Sequence, residues 1–150
     1  MLCRFSTEDR DLVARATIRS PNFQWTLTNI YGLSPTLDLP SNEKNALELG
    51  GDTFLSRSLS IILDRSYPEV SLSVQKSITS VLSRNSTMNE LMLQKKIVHA
   101  RRPPNSKYYA NAFESSLGHY RRETSFMTAF EWVERTFREL LDALVSLETE

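Results

Sequence analysis

Two short pairs of polar residues have the composition and spacing of a metal site. Glu48 and Asp52 are four apart, and Asn111 and Glu114 are three apart, so each pair occupies one face of its helix. Burying an ionised carboxylate without a partner costs several kcal/mol, on the order of ~3–5 for a broken pair, so acids on an apolar face call for a cation, an arginine or a metal. The stripe Leu55, Leu59, Ile62 runs upward at steps of three and four onto Asp52 and Glu48, which predicts that both acids lie on the buried face. Ser115 and Gly118, small residues beside Glu114, predict a close approach of another helix. If the two helices meet there, Glu48, Asp52, Asn111 and Glu114 converge as hard oxygen ligands, the kind Mg²⁺ takes together with water. Other chemistry is poorly served. Cys3 has no second cysteine to pair with, and it forms no zinc spacing with His99 and His119.

The elements that would position these residues are helices. Four glycines and six prolines punctuate 150 residues, and the apolar spacing between them is helical rather than alternating, so the fold class is all-α and the chain reads as one domain over 1–150. Ser6 with Asp9 predicts a capped first helix through Leu12, Val13 and Ala16, stopped by Pro21. A loop with Trp25 and Tyr31 as anchors follows over 21–40, then a helix over about 41–65 bearing Glu48 and Asp52. Val70, Val74, Ile78 and Val81 predict a third helix, and Met88, Leu91 and Met92 a short fourth. A fifth spans about 107–120 with Asn111 and Glu114. Phe126, Phe130, Val133, Phe137, Leu140, Leu144 and Leu147 alternate steps of four and three, which predicts a last long helix with one narrow apolar seam, against its own domain or a partner.

The segment KNALELGGD at 44–52 resembles the ribonuclease III signature NERLEFLGD, keeping Leu47, Glu48, Gly51 and Asp52. The segment ANAFESSLG at 110–118 resembles the second motif of that family, ADAFEALIG, keeping Ala110, Ala112, Phe113, Glu114 and Gly118. Residues 5–20 are similar to the family's opening helix and its THRS-like end, and 82–88 to its LVNNETL segment, so the resemblance spans nearly the whole chain. It implies an all-helical endonuclease domain that dimerises through the signature helix, here around Leu49, Phe54 and Leu55 beside the Gly50–Gly51 pair. It further implies an acidic Mg²⁺ site on double-stranded RNA, with the metal ligands falling on Glu48, Asp52, Asn111 and Glu114, and Asp52 and Glu114 as the catalytic candidates.

Departures from the family pattern bear on the chemistry. Asn111 stands where the family has Asp, Asn45 where the signature has a further Glu, and Gly50 where it has Leu. A neutral amide in place of a carboxylate removes one negative charge from the ligand set, so attraction to a hard cation falls and the Mg²⁺ site is expected to be weak or unused. The chain ends at Glu150, and the expectation is that no C-terminal double-stranded-RNA-binding domain follows. Family members of this compact kind include both active one-domain nucleases and degenerate structural proteins of the mitochondrial large ribosomal subunit. Both readings stay open. The first is a non-catalytic RNA- and protein-binding module in a mitochondrial ribosome, as a homodimer or a heterodimer with another such chain. The second is an active Mg²⁺-dependent endoribonuclease acting on structured RNA.

Charge patterning bears on the RNA. The chain carries eighteen basic and eighteen acidic residues, so any nucleic-acid contact must be local. Residues 84–122 hold eight basic residues against two acids, and 123–150 hold two against seven. Lys95, Lys96, Arg101, Arg102, Lys107, Arg121 and Arg122 are therefore the expected RNA or partner contacts. A mean hydropathy of −0.35 and the lack of a long apolar run predict no membrane span. The first twenty residues show neither the apolar core of a secretory signal nor, with Glu8, Asp9 and Asp11, the acid-poor pattern of a mitochondrial transit peptide.

Overall fold

In the computed structural model the described residues are 40–83 and 107–149, and they form four helices. The expected opening helix, the loop over 21–40 except for Pro40, and the short helix at Met88, Leu91 and Met92 lie outside them.

Helix α1 (Ser41–Ser66) begins after Pro40, whose fixed φ of −57° starts the chain without a side-chain cap and whose carbonyl accepts from the N–H groups of Glu43 and Lys44. Glu43 in the first turn and Arg65 in the last oppose the helix dipole in the favourable sense. The helix stops at Tyr67, which adopts φ −132° because the following Pro68 disfavours a helical residue before it. Helix α2 (Leu72–Leu82) is capped by Ser71, whose hydroxyl accepts from Val74 N at 3.4 Å. Val74, Ile78 and Val81 are buried, as their spacing predicts, while Val70 packs half-buried just ahead of the helix.

Helix α3 (Tyr108–Glu123) and helix α4 (Phe126–Thr149) are joined by Thr124 and Ser125. The Thr124 hydroxyl donates to the Tyr120 carbonyl at 2.7 Å, closing α3, and the Ser125 hydroxyl accepts from Thr128 N at 3.1 Å, opening α4. No helix among the described residues is long and apolar enough to cross a membrane.

Helix α1 packs chiefly on α3 and also on α4 and α2, while α4 covers α2 and α3. The core holds Leu55, Leu59, Ile62 and Leu63 of α1, Ile78, Val81 and Leu82 of α2, Phe113 and Leu117 of α3, and Val133, Phe137, Leu140, Leu141 and Leu144 of α4. Phe113 meets Trp132 at 6.3 Å and Phe137 at 6.5 Å between ring centroids, the latter edge-on at 85°. The long helix therefore turns its apolar face onto its own domain. That face is wider than the expected narrow seam, because Ala129, Trp132, Thr136 and Leu141 are buried beside the predicted positions. A helix facing several neighbours needs a broad stripe, and only a two-helix coiled coil is served by a thin one.

The far end of α1 is fastened to α4 by a polar contact. Tyr67, buried, donates its phenol to the Asp142 carboxylate. Burial, then that hydrogen bond and the Asp142 charge, push the phenol up to about 12, while Arg138 pulls it the other way. Arg138 is also paired with Glu134 at 3.1 Å one turn earlier on α4.

Candidate functional site

The site is made by a crossing of α1 and α3 at two glycines. A Cβ built on Gly51 would strike the main chain of Glu114, lying 2.7 Å from its carbonyl carbon, and one built on Gly118 would lie 3.0 Å from the carbonyl carbon of Leu47 and 3.1 Å from Gly51 N. The two backbones touch, which no residue with a side chain permits. Gly50, one residue away, has nothing within 4 Å of a built Cβ. Only Gly51 of the Gly50–Gly51 pair faces α3.

This contact corrects the expected placement of the acids. The buried row of α1 runs from Leu55 through Gly51 to Leu47, four residues per step, rather than onto Asp52 and Glu48. Asp52 is exposed and Glu48 half-buried, so both stand at the rim of the crossing instead of under it. The physical reason is steric: where two backbones touch, no room remains for a carboxylate between them, and the charged groups stay in reach of water.

Across the rim stands Glu114, half-buried on α3. Its carboxyl is pushed up to about 8, first by burial, then by a side-chain hydrogen bond with Asp52 and by the negative charges of Asp52 and Glu48, with Lys107 acting in the opposite direction. At neutral pH the Asp52–Glu114 pair thus shares a proton, as two adjacent carboxyls must when no cation lies between them. Glu48, Asp52 and Glu114, predicted to meet, are brought together. Asn111 stands half-buried one turn before Glu114, its N–H bonded to the Lys107 carbonyl at 2.8 Å, on the same side of α3 by the three-residue rule. Asn45 is exposed on α1.

The donor chemistry suits a hard divalent cation, with three carboxylates and a neutral amide oxygen at a half-buried rim. Among the described residues, however, no three His, Cys, Asp or Glu side chains are gathered as a finished ligand set. Asp52 and Glu114 face each other, and Glu48 acts on Glu114 through space.

The expected RNA or partner contacts divide three ways. Lys95, Lys96, Arg101 and Arg102 lie outside the described residues. Lys107, exposed at the start of α3, belongs to the acidic site through its field on Glu114, a role that its sequence position did not signal. Arg122 is exposed, whereas Arg121 is half-buried with its guanidinium over the rings of Phe54 at 5.8 Å and Phe126 at 5.4 Å. Those rings form a small aromatic ladder: Phe126 lies edge-on to Phe54 at 5.6 Å and stacks on Phe130 at 6.0 Å.

The dimer expectation also needs correction. Phe54 and Leu55 are buried inside the chain's own core and are not available to a second chain. Leu49 is 68% exposed. It shares the outer face of α1 with exposed Ala46, Gly50 and Thr53. No family model, no curated protein and no solved structure matches this chain.

Proposed function

We propose that this chain is a degenerate ribonuclease III-like domain that binds RNA and protein without cutting, as a structural component of a mitochondrial large ribosomal subunit. The observation that supports it is the Gly51–Gly118 crossing, which sets Asp52 against Glu114 with the Glu48 charge in range, while the fourth corner is the neutral Asn111. The spacing and motif letters of the nuclease site are present and one of its charges is not. A Mg²⁺ ion there would be held by oxygens of Glu48, Asp52, Asn111 and Glu114 and would supply Lewis-acid stabilisation of charge on a phosphate. Glu114 and Asp52 hold a proton between them at neutral pH, and that proton competes with the cation. Partner contact falls to the outer face of α1 around Leu49, against a second chain of the same kind, with RNA reached by Lys107 and Arg122 and by the basic stretch between 95 and 102.

The close Asp52–Glu114 pairing favours the second reading, a working Mg²⁺-dependent endoribonuclease. One comparison separates the two: wild type, Asn111→Asp, Asn45→Glu/Asn111→Asp and a Glu114→Ala control, each incubated with long duplex RNA and millimolar Mg²⁺. Binding without cutting by the wild type, with tighter Mg²⁺ binding in Asn111→Asp, supports the structural module. Mg²⁺-dependent cutting by the wild type that Glu114→Ala abolishes installs the nuclease instead.

A further inference from the structure

The seam between α3 and α4 carries two polar atoms that the rest of the fold does not use. Trp132 is 1% exposed and Ser116 2% exposed, and neither the indole Nε1 nor the serine Oγ has a hydrogen-bond partner. They occupy one place. The Trp132 ring lies 6.3 Å from that of Phe113 and 6.2 Å from that of Tyr120. Those residues stand three before and four after Ser116 on α3, so the indole spans the turn bearing the serine. An unpaired buried N–H costs about 1–3 kcal/mol, and native folds satisfy nearly all such groups with protein or ordered water. The two groups differ in freedom. A serine hydroxyl on a helix can rotate onto the carbonyl four residues back, but an indole N–H is fixed to its ring and has no alternative acceptor on its own residue.

We propose that one internal water is bound in the α3–α4 seam, accepting from Trp132 Nε1–H and donating to Ser116 Oγ. Those contacts use two of its hydrogen-bonding positions, within the two to four that buried waters make. The site lies one turn from Gly118 and two residues from Glu114, on the face of α3 turned away from the acidic rim. It fastens α3 to α4 independently of the carboxylates and of any reading of their chemistry.

Nuclear magnetic resonance on the full chain tests this through cross-relaxation between water and the Trp132 indole proton, assigned by its loss in Trp132→Phe. The expected result is a cross-peak with the sign of a water held for longer than a nanosecond, lost in Ser116→Ala and kept in Ser58→Ala. A folded wild type with no such cross-peak overturns the proposal, whether or not the variants fold. So does a cross-peak that persists unchanged in Ser116→Ala, which would place the water on other partners.

Discussion

The two contacts of helix α3 are built on opposite principles. Toward α1 it offers Gly118 to Gly51, and the helices are held at a distance set by main-chain atoms. Toward α4 it offers Phe113, Leu117 and Tyr120 to Trp132 and Phe137, and the helices are held by interlocking rings. The first contact buries little apolar area but fixes position tightly, since a backbone cannot change rotamer to relieve a collision. The second buries much area and can yield locally by repacking. Chemistry sits at the first contact. Placing Asp52 against Glu114 needs precision, and the aromatic side supplies the stability that the crowded carboxyls oppose.

Removing a ring from the aromatic side should have the largest effect on stability. Phe137→Ala is expected to lose about 4 kcal/mol, because a fully buried phenylalanine leaves a cavity in addition to its lost transfer energy. Urea unfolding followed by circular dichroism measures it, and a loss below ~1 kcal/mol would mean that the two contacts do not divide labour in this way.

The glycine side is broken by adding one carbon. Gly51→Ala should lose about 3 kcal/mol, since the methyl meets a carbonyl of the opposing backbone. Gly50→Ala, in open space on the same helix, should gain up to ~1 kcal/mol from helix propensity. The opposite signs of neighbouring, chemically identical substitutions are the sharpest test of which glycine faces α3.

A pH titration probes the carboxyls that this crossing forces together. Glu114 has a folded-state value of about 8 against 4.5 for the ordinary group, so the native state holds a proton that the unfolded chain releases. Stability from this group is fully present below about pH 4.5 and declines as pH rises to about 8. Allowing for solvent around a half-buried group, the decline should be on the order of 1 kcal/mol. Thermal unfolding at pH 6 and pH 8.5 would show it as a fall in Tm. Glu114→Gln should flatten the difference, and millimolar Mg²⁺ should restore more stability at pH 8.5 than at pH 6.

The smallest expected effect lies at the far end of α1. Tyr67→Phe removes the hydrogen bond to Asp142 and leaves the ring in place, so a loss of about 1 kcal/mol or less is expected by the same urea measurement.

Much of this architecture was legible from residue spacing alone. The helix bearing Glu48 and Asp52 and the one bearing Asn111 and Glu114 follow from turn residues and apolar periodicity, which are local and act on each helix separately. The predicted end of α1 near 65 agrees with Ser66 because Pro68 acts on its immediate neighbour. The fifth helix was expected to end near 120 and runs to Glu123, a difference of less than one turn. The meeting of the carboxylates was also expected, from the small residues around Gly118.

What tertiary structure alone decided is which side of each helix faces which neighbour. A heptad stripe does not distinguish a row through Asp52 and Glu48 from one through Gly51 and Leu47, because both lie within one helical face. The choice came from α3, whose backbone fits only where α1 has no side chain. The same choice put Asp52 at the rim and Glu114 under its charge, and Phe54 and Leu55 inside rather than at a partner. Local sequence determines that a helix forms and roughly where it stops. Which of its faces is buried depends on contacts between residues far apart in the chain, and those are properties of two helices together.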